Sequence, residues 1–138
     1  MKTQTLPQKY EHLSPAGAEV RVLMSNAMAG VAHCTLKNGK ISRAVCHKTV
    51  GEIWTVISGY GEIWCKQDST TLITPLEAGM TIDITVGTHF QYRSLKNDLV
   101  FICVTTPPWP GADEVFYVSD GVWRPSENMS QLNLDKSR

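Results

Sequence analysis

Residues 43–64 read RAVCHKTVGEIWTVISGYGEIW. The apolar positions of this stretch alternate. Glu52, Trp54 and Val56 fall on one face of an extended chain, and Ile53, Thr55 and Ile57 on the other. Gly59-Tyr60-Gly61 separates EIWTVIS from EIWCK, so the stretch holds strand material on both sides of a glycine-rich break.

The same pattern extends outward. Asn38-Gly39 lies between two strand-like runs, the strongest short hairpin signal. Asp68-Ser69 precedes TTLIT, Pro75 to Gly79 is a loop, and Asn97-Asp98 precedes LVFICV, which PPWPG follows. Turn signals spaced by about 8–12 residues predict an all-β sandwich or barrel of about nine or ten strands. LVFICV does not alternate, which predicts a central strand buried on both faces. The only helix candidate, Ser14 to Met28, is opposed by Pro15, Gly17 and a β-branched run. Residues 1–15 read as an arm or edge strand, and the polar stretch Ser126 to Arg138 as frayed.

A chain of 138 residues amounts to one domain. Thirteen Lys and Arg balance thirteen Asp and Glu, which argues against nucleic-acid binding and against a basic membrane-surface role. No apolar run approaches a membrane span, and the start lacks the apolar stretch of a signal peptide, so a cytoplasmic protein is expected. Cys34, Cys46, Cys65 and Cys103 form no CxxC pair and read as free thiols packed as small apolar groups.

The stretch from Arg43 resembles the first motif of the cupin superfamily: glycine, five residues, His-x-His, three or four residues, Glu, six residues, Gly. His47 takes the second histidine slot, Glu52 the carboxylate slot and Gly59 the closing glycine, while Val45 stands in the first histidine slot. The second motif has a Pro-x-Gly-x-x-His core with Asn four residues on. It is matched by ITVGTHFQYRS, with Thr85, Gly87, Phe90 and Ser94 in the proline, glycine, histidine and asparagine slots. His89 lies one residue early. The resemblance covers residues 19–106, the core of a single domain spanning 1–138 with a C-terminal extension, 107–138. It resembles the small single-domain bacterial cupins with degenerate metal-ligand motifs. It implies an RmlC-like jelly-roll, an antiparallel β-barrel with a ligand pocket inside, and in many members a metal on three His and one Glu. It also implies diverse activities and a homodimer paired through N-terminal strands and sheet edges.

Alternate residues share a face, so Arg43, Val45 and His47 are expected inward together in the family register, with Arg43 a candidate partner for Glu52. Arg43, Val45, Trp54, Phe90 and Tyr92 are the candidate ligand-binding residues, suited to a small polar or anionic molecule with an apolar body. His47 and Glu52 are the candidate catalytic pair. With Val45 and Phe90 in two ligand slots, a divalent transition metal (Fe, Mn, Ni or Zn) would be held weakly by His47 and Glu52, unless a bulge near Gly87 turned His89 inward to join them. A two-residue turn at Asn38-Gly39 would pair His33 with Ala44, away from His47. His12 is read as a surface residue. Cys46 points away from His47, and no GxSxG elbow, phosphate loop or HExxH is present.

Two functions remain open. One is a small-molecule-binding barrel protein with a vestigial metal site. The other is an enzyme of isomerase, lyase or dioxygenase type acting on a small polar metabolite, by acid/base catalysis at His47 and Glu52 or by a metal site completed through His89.

Overall fold

A computed structural model of the chain describes residues 1–126. Nine strands follow in order: β1 (His12–Leu13), β2 (Glu19–Ser25), β3 (Gly30–Leu36), β4 (Val45–His47), β5 (Gly51–Gln67), β6 (Thr70–Glu77), β7 (Thr81–Ile84), β8 (His89–Thr106) and β9 (Val115–Tyr117). A single 3-10 turn, Ala112–Glu114, precedes β9, and the described residues hold no α-helix. Every strand pairing is antiparallel. None of the described segments is a helix long and apolar enough to cross a membrane.

Two long strands organise the barrel. β5 and β8 run antiparallel from the Gly51–Thr106 pair to the Lys66–His89 pair. Their register slips between Val56 and Gly61, where Gly59 sits at φ 84°. A bulged, glycine-bearing strand bends there, so each long strand contributes to both walls. One wall runs β1-β2-β3-β8-β5-β7, and the other runs β9-β4-β8-β5-β6. A single apolar cluster fills the space between them, with Val20, Cys34, Trp54 and Phe101 from the first wall meeting Val45, Phe90, Tyr92, Leu76 and Val115 from the second. Inward-facing positions on β5 are those the alternation assigned: Glu52, Trp54 and Val56 are buried, while Ile53 and Ile57 are about half exposed.

Several local expectations are corrected. Gly59-Tyr60-Gly61 and Asn97-Asp98 lie within the continuous strands β5 and β8, and Pro75 to Glu77 belong to β6 rather than to a loop. Asn38-Gly39 does form a turn, closed by the Lys40 amide on the Lys37 carbonyl at 3.0 Å, but no hairpin ladder follows it. β3 pairs with β2 and with the Leu99–Thr105 end of β8, and β4 pairs with the opposite end of β8. A strand from far along the chain therefore takes the place that the next segment would have filled. His33 accordingly faces Arg21 and Ile102 rather than Ala44, and it is not among the residues lining the cavity. LVFICV is central, lying between β3 and β5, but only Leu99, Phe101 and Cys103 are buried, and Val100, Ile102 and Val104 are partly exposed. Of the stretch Ser126 to Arg138, only Ser126 is described, bonded to Ile41 through both its amide and its hydroxyl. The remainder lies outside the described residues.

Candidate functional site

His47 ends β4 and Glu52 begins β5, so both depend on the loop of residues 48–50 between them. That loop is clamped from outside the motif. The buried Glu114, in the 3-10 turn, accepts hydrogen bonds from the Thr49 amide at 2.6 Å, the Val50 amide at 2.9 Å and the Thr49 hydroxyl. Burial alone would raise the Glu114 pKa. The bonds from Thr49 and Val50, helped by the charge of His47, outweigh it and hold the carboxyl below its ordinary value. The His47 carbonyl in turn accepts from the Gly87 amide at 3.3 Å.

With its backbone held, His47 turns its ring inward. The ring meets Phe90 edge-on at 5.3 Å between centroids and Trp109 at 5.2 Å. Nδ1 of His47 is buried without a hydrogen-bond partner and lies 3.8 Å from Oε2 of Glu52, beyond bonding reach. The other Glu52 oxygen, Oε1, accepts from the Trp54 indole nitrogen at 2.8 Å. Trp54 is fixed by stacking on Phe101, with centroids 3.9 Å apart and planes 15° from parallel, and by edge contacts with Phe90 and Tyr92.

These groups border a cavity of about 240 Å³ between the two walls, lined also by Val45, Cys34, Cys103, Tyr92 and residues of β2. The Cys34 and Cys103 thiols are pushed far up, first by burial and then by the negative charge of Glu52. Burial likewise raises the Tyr92 phenol, with Cys34 and Glu52 adding to it. All three stay protonated, and the thiols are poor nucleophiles. All four cysteines are unpaired.

Of the expected site residues, Val45, His47, Glu52, Trp54, Phe90 and Tyr92 meet around the cavity. Arg43 does not join them. Its guanidinium lies over the Tyr117 ring, 4.1 Å from the centroid. The reason is that β4 begins only at Val45, so strand parity does not reach back to Arg43. His89 is also apart. Gly87 lies in a turn closed by the Thr88 amide on the Thr85 carbonyl, and from there Phe90 pairs with Val45 and His89 with Cys46 without a bulge. Phe90 is thus inward and His89 outward, its Nδ1 bonded at 3.0 Å to Asp120. Asp120 also accepts from Lys66 at 2.8 Å, and these two bonds, that from Lys66 the stronger, bring its carboxyl down to about 2.

The three-His, one-Glu metal set that the sequence resemblance implies is therefore not assembled by these residues. His47 and Glu52 supply two donors, Val45 and Phe90 supply none, and no group of three or more His, Cys, Asp or Glu suited to a metal occurs among the described residues.

Two contributions escaped sequence reading. The extension folds back to put Pro108 and Trp109 against the cavity, and only the aromatic in PPWPG hinted at that. His12, exposed in β1, also lines the cavity, at its rim.

No family model and no curated protein matches the chain. Solved structures match in fold. The capsular polysaccharide assembling protein CapF of Staphylococcus aureus is 17% identical over 85% of this chain, with a TM-score of 0.69, and the chain spans 32% of that protein's length. Ectoine synthase from P. lautus is 19% identical over 89% of this chain and 96% of its own, with a TM-score of 0.66. An RmlC-like cupin from Methanocaldococcus jannaschii, described as a double-stranded β-helix, is 13% identical over 78% and 93%, with a TM-score of 0.57. At such identities a shared barrel carries no shared chemistry. By its two walls, its bent central strands and these likenesses, the chain has the RmlC-like cupin fold.

Proposed function

We propose that the chain is a small-molecule-binding barrel whose ligand sits in the cavity with a polar group between His47 and Glu52. The observation that carries this reading is the orphaned Nδ1 of His47. A buried polar atom without a partner costs about 1–3 kcal/mol, and a bound molecule that reaches it recovers that cost. Apolar and aromatic walls with a few convergent polar atoms are the usual composition of a ligand site.

A second reading, acid/base catalysis, is favoured by the same 3.8 Å gap. A ligand hydroxyl seated in it would donate to the Glu52 carboxylate while the imidazole exchanges a proton with the same or a neighbouring atom. The four unpaired thiols support a reducing compartment, the cytoplasm. The short edge strand β1, and Leu72 and Ile73 exposed on β6, which pairs only with β5, support a two-fold dimer that covers a sheet edge.

The test is a screen of small metabolites against the intrinsic fluorescence of the four tryptophans, of which Trp54 and Trp109 line the cavity, repeated with His47→Ala. The expected result is a ligand whose binding weakens by tenfold or more in a variant with an unchanged β-type spectrum. A variant that loses melting temperature yet binds as the parent does would assign His47 a structural role and refute the reading.

A further inference from the structure

The cavity has an electrostatic sign. Glu52 brings a carboxylate to its wall, and no Lys, Arg or Asp lines it. The nearest candidate counter-charge expected from the sequence, Arg43, is spent on Tyr117. A buried carboxylate is expensive unless a cation or several donors compensate it; the Trp54 indole supplies one donor and the Cys103 thiol a weaker second. The rest of the wall is mostly apolar, aliphatic along β2 and β3, and five aromatic rings border the space: Trp54, Phe90, Tyr92, Phe101 and Trp109. Ring faces carry negative electrostatic potential and attract cations, most strongly where water is excluded.

We infer that the cavity selects a small organic cation whose charged centre is alkylated, such as a quaternary ammonium group. This deepens the binding reading and rests on it. The basic side chains lining the cavity are the imidazoles of His12 and His47, the latter with Nδ1 3.8 Å from Glu52, and neither Lys nor Arg is there to pair an anion, so Glu52 and the rings favour a cation. An alkylated centre is preferred over a primary ammonium for a separate reason. A primary ammonium carries three N–H donors, and each left unsatisfied in an apolar site costs binding energy. An alkylated centre spreads its charge over C–H surface, which aromatic walls accommodate without hydrogen bonds. A hydroxyl elsewhere on the molecule would reach Nδ1 of His47.

The test uses the intact chain and three probes of one shape: choline, the uncharged alcohol in which carbon replaces its nitrogen, and the tert-butylacetate anion. Titration calorimetry should show choline binding at least about tenfold more tightly than the alcohol, the ratio that about 1.4 kcal/mol of charge selectivity produces, and the anion more weakly than the alcohol. Glu52→Gln should abolish the preference for choline while the alcohol still binds. Trp109→Leu should weaken choline more than the alcohol. Equal affinity for choline and alcohol in the parent would overturn the charge inference and leave the cavity as a binding site. If none of the three binds, this inference fails, while the binding reading is decided separately by the metabolite screen. The comparison within the parent needs no variant to fold.

Discussion

The Glu52 carboxylate accepts a 2.8 Å hydrogen bond from the indole nitrogen of Trp54, two residues along the same strand. The i, i+2 spacing that puts both on the inner face of β5 also lets one side chain hold the other. Trp54 thereby serves as core filler, cavity wall and orienting donor.

Trp54→Phe keeps most of the ring and removes the donor. A buried carboxylate oxygen left without its partner should cost about 1–3 kcal/mol of stability, read by urea unfolding. In a Glu52→Leu background the same change should cost less, because the group it strands is gone. Equal losses in both backgrounds would mean that the bond contributes nothing.

Val45 and Phe90 are cross-strand partners on β4 and β8, and Phe90 touches the His47 ring edge-on. The double variant Val45→His and Phe90→His should therefore place three imidazoles beside Glu52. Titration with Ni or Zn should show an affinity gain exceeding the roughly 10–100-fold effect of a single supporting residue at a metal site. Some stability should be lost where Phe90 is truncated. An affinity equal to that of the parent would show that the two positions do not converge on His47.

Asp120 ties Lys66 and His89 together on the outer face, and its carboxyl lies at about 2 in the folded protein against an ordinary 3.8. A folded pKa below the unfolded one means the folded state binds protons less readily. Its contribution is complete above the unfolded value and is lost as pH falls from about 4 towards about 2. Asp120→Asn should lower stability near neutrality, and the gap from the parent should close over that acid window in unfolding scans. A gap of constant size down to pH 2 would contradict this. Binding in the cavity should be unchanged, since Asp120 does not line it.

Gly59 has φ 84°, and a Cβ there would lie 2.1 Å from the Asp98 carbonyl oxygen. Gly39 has φ 80° but meets nothing within 4 Å. Gly59→Ala should thus lower the melting temperature markedly more than Gly39→Ala, which bears only the backbone strain of order 1 kcal/mol. Similar losses would show that β8 yields at Asp98 at little cost.

The residues determined part of this arrangement by themselves. Alternation is a consequence of local chain geometry, so the inward set Glu52, Trp54 and Val56 was legible before any partner strand was known, as was the shared face of Val45 and His47. Gly59-Tyr60-Gly61 read as a break between two strands, whereas β5 runs through it with a slip in register. What lay beyond local geometry was decided by tertiary structure. Asn38-Gly39 shapes a turn, but the pairing of β8 with β3 at one end and with β4 at the other determined which strands met. Arg43 sits where β4 has not begun, so its placement followed from the nearby Tyr117 ring. His89 faces out because an unbulged ladder carries Phe90 in, a choice that depends on register across two strands. Trp109 and Glu114 reach His47 and its loop only after the tail folds back across more than fifty residues of chain. Contacts at such separation depend on total burial against the entropy of closing a long loop, and no local pattern encodes that balance.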